Sequence, residues 1–324
     1  MTGWGILATG WIAEQFVDDL KRHGHSVVAV GSRSQASADE FAARFDIPLA
    51  HSSYKTLVAD PDVDIVYVAT PHPYHLDNAT LALNAGKHVL IEKPITLNAA
   101  QAQQLADLAS DKGLLLLEAM WTRFLPHMAR IREIIAAGTL GDIRSLMVDH
   151  TQDLPADPAH RINALELGGG ALLDLGIYPI SFAWDLFGKP ETITAQATFK
   201  PTGADAQVAT VFGYGDGRIA TTLSASDTQG PNTAYILGTK ARIEVDAVWY
   251  EPTSFRVIDP DGLVLEIYES DVTGRGMQFQ AQEAERMLAA GQASSTLLPP
   301  EESVAIMQTL DEIRSQIGLV YPGE

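Results

Sequence analysis

The chain has 324 residues, a formal net charge of -19 and no cysteine. This length is enough for two domains. The acidic balance argues against nucleic acid and against an anionic membrane surface as partners, because both bind to a basic face. Without cysteine there is no disulfide framework, thiolate metal site or cysteine nucleophile. No signal peptide is visible, and no apolar run approaches the ~18 residues of a membrane span, so we expect a cytoplasmic protein.

The first part of the chain alternates apolar strands with amphipathic helices. Strands are predicted at residues 4–8, 27–30, 65–69, 88–91 and 114–117. Helices are predicted at residues 12–20, at about 37–45 with a capping box from Ser37 to Glu40, at 75–85 and at 98–112. Continuous apolar strands that alternate with helices indicate a parallel sheet covered on both faces. We therefore predict an α/β Rossmann dinucleotide-binding domain.

After about residue 122 the pattern changes to strands with turn signals. Strands are predicted at residues 143–148, 192–199, 208–212, 218–223 and 234–245, with helices near 171–187, 280–290 and 304–313. This pattern is typical of an α+β domain with an open, mostly antiparallel sheet. We expect the dinucleotide-binding domain at residues 1–122 and an α+β substrate and dimerisation domain at 123–324. The last helix of the chain can pack back on the first domain.

The first strand-to-helix turn resembles a phosphate-binding loop. The dinucleotide fingerprint has two glycines and a third small residue, and Ala8, Gly10 and Ala13 stand at these positions. The pyrophosphate would lie on the helix N-terminus. The cofactor contacts predicted here are Ala8, Thr9, Gly10, Trp11 and Ile12. An ordinary tight turn remains the alternative for the motif alone.

The end of the second strand bears on the choice of cofactor. It reads Gly31-Ser32-Arg33-Ser34 and has no acidic residue for a ribose 2′-hydroxyl. A guanidinium and hydroxyl groups would instead bind a 2′-phosphate. We therefore predict NADP, with NAD possible, and contacts from Ser32 and Arg33. An exposed loop arginine is the alternative.

The fourth strand closes with the charged tripeptide Glu92-Lys93-Pro94. A lysine and a glutamate at the end of a buried strand are costly unless a partner or ligand uses them. Proline is excluded from central strands and marks where this strand stops. A surface loop with a solvated ion pair is the alternative interpretation.

Several motifs together resemble the glucose–fructose oxidoreductase / inositol dehydrogenase (Gfo/Idh/MocA) family. The matching segments are residues 5–13, Ala69-Thr70-Pro71 with His75, Glu92-Lys93-Pro94, and 168–178 with Asp174 and Tyr178. Residues 118–124, which include Trp121 and Arg123, resemble the branch of dimeric trans-dihydrodiol dehydrogenases and D-xylose dehydrogenases. The resemblance covers essentially the whole chain. It implies a cis Lys93-Pro94 bond, and a lysine between nicotinamide and substrate.

Oxidation of a CH–OH group needs a base for the hydroxyl proton and a hydride acceptor, which the cofactor supplies. Tyr178 is the candidate base. A free tyrosine has a pKa near ~10, and a neighbouring ammonium such as that of Lys93 favours the phenolate. Asp174 lies four residues before Tyr178 on one helical face and could orient Lys93 or bind a substrate hydroxyl. The alternatives are that Tyr178 is an interface residue and that Asp174 is a structural ion-pair partner.

Further contacts are predicted around these groups. The additional cofactor contacts are Thr70, Pro71, His75, Glu92, Lys93 and Arg123; the substrate contacts are Trp121, Arg161, Asp174 and Tyr178. Helix capping or packing is the alternative for His75, core packing for Trp121 and a solvated side chain for Arg161. His72 and His75 invite a metal site, but no third ligand suggests itself, so no metal is expected.

The sequence thus predicts an NAD(P)-dependent oxidoreductase that prefers NADP and acts on an aldose sugar or a vicinal diol. Tyr178 would be the general acid/base, assisted by Lys93. The resemblance implies a homodimer through the sheet of the C-terminal domain. A non-catalytic dinucleotide sensor and a reductase of sugar-like ketones or dicarbonyls are the alternatives, and the joint presence of Lys93 and Tyr178 favours an enzyme.

Overall fold

The computed structural model describes residues 2–322, which form fourteen β-strands and nine α-helices. The strands are β1 (Gly3–Leu7), β2 (Ser26–Gly31), β3 (Leu49–His51), β4 (Ile65–Val68), β5 (His88–Glu92), β6 (Leu116–Ala119), β7 (Ile143–Thr151), β8 (Thr192–Phe199), β9 (Asp205–Gly213), β10 (Ile219–Ala225), β11 (Ala234–Gly238), β12 (Arg242–Val245), β13 (Phe255–Ile258) and β14 (Val264–Tyr268). The helices are α1 (Trp11–Arg22), α2 (Gln35–Phe45), α3 (Tyr54–Val58), α4 (His75–Asn84), α5 (Ala99–Lys112), α6 (Pro126–Ala136), α7 (Ile177–Phe187), α8 (Gln278–Ala289) and α9 (Pro300–Ile317).

The chain divides into two compact units. The first unit contains the residues up to Trp121 together with Gly274–Met307, and the second contains Thr122–Thr273 with the C-terminal segment from Gln308. The later segment is therefore part of the nucleotide-binding unit, although 150 and more residues separate it from the rest.

The first unit is built on a six-stranded sheet in the order β3-β2-β1-β4-β5-β6. Every neighbouring pair is parallel. β1, β4 and β6 are buried along their whole length, which explains why they are apolar runs in the sequence. The short strand β3 was not predicted. The Rossmann architecture was predicted correctly, since the strand order is that of a dinucleotide-binding sheet.

Side chains at the helix ends explain where two of the helices begin. The predicted capping box at Ser37 is wrong, because Ser34 is the N-cap of α2 and accepts the Ser37 N–H at 3.3 Å. Asn98 caps α5 by accepting the Gln101 N–H at 2.9 Å. Each bond satisfies one of the backbone donors that a helix N-terminus leaves unpaired.

The second unit contains an eight-stranded sheet in the order β14-β13-β12-β11-β7-β10-β9-β8. Only the β7–β10 pair is parallel among these neighbours, so the predicted mostly antiparallel sheet is confirmed. The prediction of one strand over residues 234–245 is wrong, because the chain turns after Gly238 and forms two strands. Strands β13 and β14 were not predicted.

One face of the second sheet carries α7. A π-helical turn at Leu172–Gly176 leads directly into α7. Gly176 lets this turn approach β10 closely, since a Cβ there would lie 2.9 Å from the Ser224 hydroxyl oxygen. The residues of β7 that point to this side, such as Leu146 and Val148, are buried. Within residues 2–322, none of the helices combines the length and the apolar character that a bilayer crossing requires.

Candidate active site

The loop between β1 and α1 has the form of an anion cradle. Ala8 adopts φ +88°, a conformation that favours glycine, which is the residue the fingerprint has at this position. Gly10 is the N-cap of α1, and no side chain makes a capping bond to it. A Cβ on Gly10 would meet no atom within 4 Å. The space beside Gly10 at the N-terminus of α1 is therefore open, which fits a cofactor pyrophosphate.

The end of β2 borders the same edge of the sheet. The Ser32 N–H donates to the His51 carbonyl at 3.1 Å, and the Ser32 side chain is buried. The side chain of Arg33 is exposed, whereas Ser34 is occupied as the cap of α2. Of the two residues predicted to contact a 2′-phosphate, Ser32 is therefore buried and Arg33 is exposed to solvent.

The Glu92-Lys93-Pro94 turn is held from two sides. The Tyr67 hydroxyl donates to the buried Glu92 carboxylate. The Ile95 N–H donates to the carboxylate of Glu118 on β6 at 3.0 Å. The Lys93-Pro94 peptide is cis, and Lys93 is half-buried. The lysine is therefore carried by a turn whose backbone is fixed by neighbouring strands.

His75 fastens the loop after β4 to this turn. Its two ring nitrogens lie 2.7 Å from the Thr70 carbonyl oxygen and 2.9 Å from that of Pro94, and the side chain is completely buried. Burial lowers the pKa of His75 to about 4, so the ring is neutral near pH 7 and has one N–H to donate. The predicted cofactor contacts of Thr70, Pro71 and His75 stay predictions.

In the second unit, the helix that begins with the π-helical turn carries two of the candidate catalytic residues, Asp174 and Tyr178. The Arg161 guanidinium donates to both oxygens of Asp174, each at 3.1 Å. Asp174 is buried, whereas the Arg161 side chain is half exposed. Tyr178 follows about one turn later and is also buried. π-Helical turns of this kind are frequent at functional sites.

Tyr178 lies in an aromatic cluster with His150 and Tyr250. The His150 ring is perpendicular to Tyr178 at a centroid distance of 4.8 Å and stacks on Tyr250 at 3.8 Å. The Gln152 side chain lies 2.9 Å from a His150 ring nitrogen and 3.3 Å from the Tyr250 hydroxyl. The sequence analysis missed His150, Gln152 and Tyr250. The only sequence signal for His150 is its position in phase with the apolar Leu146 and Val148, and this does not distinguish a site residue from a core residue.

Arg123 anchors the same helix. Its buried guanidinium donates to the Ser181 carbonyl oxygen at 2.6 Å and to the Ser181 hydroxyl at 3.0 Å. Trp121 is also buried. The contacts of Trp121 and Arg123 with cofactor or substrate stay predictions.

Asp205 caps the start of the helix and was also missed. Its carboxylate accepts the Leu172 N–H at 2.6 Å. Gly170, at φ +127°, leaves room for this carboxylate, since a Cβ there would lie 1.9 Å from one of its oxygens. Burial raises the pKa of Asp205 to about 6.

The two histidines that suggested a metal have ring centroids 5.7 Å apart. Within the described part of the chain, no group of three or more His, Cys, Asp or Glu side chains could hold a metal ion.

Taken with its sheet order and open helix terminus, the first unit defines an NAD(P)-binding oxidoreductase domain. Residues 2–120 match the family model described as "Oxidoreductase family, NAD-binding Rossmann fold". Residues 128–244 match the model described as "GFO/IDH/MocA C-terminal domain". The chain belongs to the Gfo/Idh/MocA oxidoreductase family.

Curated relatives are similar over nearly their whole length. A trans-1,2-dihydrobenzene-1,2-diol dehydrogenase from Mus musculus is 37% identical over 329 residues, which cover 98% of each chain. A D-xylose 1-dehydrogenase (NADP(+)) from Hypocrea jecorina is 38% identical over 362 residues, covering 98% of this chain and 93% of the relative. The chain is thus an oxidoreductase of the sugar and diol dehydrogenase group.

Two solved structures have the same architecture. A 3-ketoreductase from Actinomadura kijaniata, in complex with NADP and TDP-benzene, has a TM-score of 0.86 at 25% identity, with 98% of each chain covered. The levoglucosan dehydrogenase complex with NADH and levoglucosan has a TM-score of 0.87 at 20% identity, covering 98% of this chain and 97% of the other, and it supports the fold alone.

Proposed function

We propose that the protein is an NADP-preferring dehydrogenase of an aldose sugar or a vicinal diol, with Tyr178 as general acid/base and Lys93 as its cationic partner. The observation that carries this proposal is the helix that presents Tyr178 one turn after the buried, arginine-paired Asp174. The names of the diol and D-xylose dehydrogenase relatives support the substrate class.

The chemistry divides between cofactor and protein. A bound nicotinamide supplies the hydride acceptor for the substrate carbon. The Tyr178 phenolate accepts the hydroxyl proton as the carbonyl forms, and it returns this proton to solvent or, in the reverse direction, to the substrate oxygen. The Lys93 ammonium favours the phenolate form through its charge. The proposal requires that these two side chains act on one substrate.

The surroundings of Tyr178 suit a polyhydroxylated substrate. Asp174 accepts two hydrogen bonds from Arg161, and a carboxylate is the type of acceptor that would also bind a substrate hydroxyl. The stacked rings of His150 and Tyr250 lie beside Tyr178 and would supply an aromatic wall for the carbon skeleton of a sugar or diol. The cofactor preference rests on Arg33, whose exposed guanidinium can bind a 2′-phosphate.

The test is reduced-nicotinamide absorbance with NADP or NAD over a panel of D-xylose, D-glucose, other aldoses and trans-dihydrodiols. Tyr178→Phe should lower kcat by a factor of ~10²–10⁴ and leave cofactor affinity unchanged. Lys93→Met should lower kcat to a similar extent. Suitable controls are Tyr268→Phe, which removes a hydroxyl elsewhere in the second unit, and the exposed Lys112→Met.

Full activity of Tyr178→Phe would refute the acid/base assignment. Tight cofactor binding by the wild type without turnover of any substrate in the panel would favour the sensor alternative. Equal turnover with NAD and NADP would refute the cofactor preference.

We further propose that the open face of the second sheet pairs with a second copy of the chain. Four neighbouring strands present large apolar side chains on this face: Val211 on β9, Ile219 and Leu223 on β10, Met147 on β7 and Tyr235 on β11. Val211, Met147 and Tyr235 lie in one row across the strands, because Val211 and Met147 both pair with Thr221 and Met147 pairs with Tyr235. Each is between 37% and 50% exposed.

An apolar patch of this extent is typical of an interaction surface. A two-fold interface brings the same patch together from both copies, so one apolar face is complementary to itself. Sedimentation of the wild type should give a dimer, and Met147→Asp should give a monomer. The control Val320→Asp changes an exposed apolar residue outside the sheet. A monomeric wild type would refute the dimer.

A further inference from the structure

Residues 274–277, here called the strap, are fastened to α1 by one buried carboxylate. Asp19 accepts the Arg275 N–H at 3.1 Å and the Met277 N–H at 2.9 Å with the same oxygen. Gly274, at φ +80°, permits this approach, because a Cβ there would lie 2.1 Å from the other Asp19 oxygen. The strap therefore has a fixed position against α1 within the first unit.

This position places the Arg275 side chain between two tryptophans. Its guanidinium carbon lies 5.4 Å from the centroid of the Trp11 ring and 5.2 Å from that of Trp121. Both distances are within the range of a cation–π interaction. Trp121 is buried, whereas Trp11, the first residue of α1, is 60% exposed. The aromatic pair thus holds a cation at the N-terminal end of α1.

Three features make the electrostatic potential at the N-terminal end of α1 positive. The helix dipole puts a partial positive charge at the first turn of α1. The acidic residue of that turn, Glu14, is paired with Arg44 at 2.7 Å. Arg275 then adds a full positive charge beside the ring of Trp11, the first residue of the helix, and a Cβ on the preceding Gly10 would meet no atom within 4 Å. A cation beside the positive end of a helix is unfavourable in isolation and becomes favourable when an anion binds there.

We propose that Arg275 is a cofactor-clamping residue, which binds the pyrophosphate of the dinucleotide opposite the N-terminus of α1. The planar guanidinium can donate two parallel hydrogen bonds to phosphate oxygens. The tryptophans fix its orientation, and the Asp19-bound strap fixes its distance. The clamp rests on the cofactor site of the proposed function and is independent of the acid/base role of Tyr178.

The test compares two arginines by titration calorimetry with NADP and with NAD, in the absence of substrate. Both cofactors contain the pyrophosphate, so Arg275→Ala should weaken both by a similar factor of about ten to a hundred. Arg33→Ala should weaken NADP alone. Arg275→Lys keeps the positive charge but cannot donate two parallel hydrogen bonds. Its cofactor affinity should lie between those of the wild type and Arg275→Ala. Arg286→Ala, which removes an exposed arginine paired with Glu283, is the matched control and should change neither affinity.

The strap gives a second, independent readout. Gly274→Ala should displace the strap from Asp19 and lower the affinity for both cofactors. Adding Arg275→Ala to this variant should cause little further loss of affinity, because the two substitutions remove the same interaction. Unchanged affinity for both cofactors in Arg275→Ala, or a loss confined to NADP, would overturn the clamp. Failure of the wild type to bind either cofactor would overturn the clamp together with the cofactor assignment. Weaker binding of both cofactors in Arg275→Ala would support the clamp even if Tyr178→Phe kept full activity, so failure of the acid/base assignment is distinguishable from failure of the clamp.

Discussion

Asp205 gives a prediction in which the sign and the size both follow from the structure. The carboxylate is completely buried at the start of the helix that carries Asp174 and Tyr178. The nearby Lys200 ammonium donates its hydrogen bond to Asn163, so it offsets the burial only partly. The pKa of Asp205 is therefore raised from 3.8 to about 6.

This shift couples folding to pH. A folded-state pKa above the unfolded one means that the folded chain holds a proton that the unfolded chain has lost between about pH 4 and 6. The stabilisation is fully present below about pH 4 and is lost as the pH rises through about 6. A difference of about two pKa units corresponds to ~3 kcal/mol in the free energy of unfolding.

The perturbation is Asp205→Asn, since asparagine can still accept the Leu172 N–H and does not titrate. Urea unfolding of both proteins is measured from about pH 4 to 7.5. The free energy of unfolding of the variant minus that of the wild type should rise by ~3 kcal/mol across this range. Other carboxylates titrate in both proteins and cancel in the difference.

Asp216→Asn is a control that should not respond in this pH range. Hydrogen bonds from Arg218 lower the pKa of the exposed Asp216 from 3.8, so its folded and unfolded forms differ in protonation only below about pH 4. The corresponding difference should therefore stay nearly constant between about pH 4 and 7.5. A difference for Asp205→Asn that is flat or declining between about pH 4 and 7 would refute the coupling between its burial and stability.

Three further predictions concern the first unit. Ala8→Gly should raise the free energy of unfolding by ~0.5–1 kcal/mol in urea, because relief of the positive φ exceeds the entropic cost of glycine; a decrease would contradict this. Glu118→Ala should lower it by ~2–4 kcal/mol in the same assay, because the Ile95 N–H and the Ser303 hydroxyl lose their shared acceptor, whereas a neutral outcome would show that water replaces it. The His75 ring signals in NMR should not titrate between about pH 8 and 5, since burial lowers its pKa to about 4; a midpoint near ~6.5 would exclude the buried neutral ring.

The sequence predicted most of the fold wherever one physical cause dominated. The buried strands of the first sheet are apolar runs because helices cover both faces, and this pattern is visible without any tertiary information. The three-residue strand β3 begins with the exposed Leu49 and carries no such pattern. The turn at Thr239-Lys240, between β11 and β12, contains only ordinary polar residues after Gly238, so two strands were taken for one.

The candidate site was predictable only where local motifs mark it. Lys93 follows an apolar strand and stands next to a proline, which makes it visible in the sequence. His150 and Tyr250 are brought together by the fold across about a hundred residues. Asp205 caps a helix from the beginning of β9, and its role depends on the conformation of Gly170. Such contacts between distant segments leave no periodic signal in the chain.

The first unit consists of two distant segments of the chain, which affects how it folds during synthesis. Three buried or partly buried groups of the N-terminal segment find their partners in Gly274–Met307: Trp4 donates to Glu285 at 2.8 Å, Asp19 holds Met277, and Glu118 accepts from Ser303 at 2.6 Å. A nascent chain on the ribosome therefore carries the complete phosphate loop long before it can complete the nucleotide-binding unit. A truncation upstream of Gly274 would remove these partners from a protein whose cofactor motif is intact, so the motif by itself does not delimit an independently folding module.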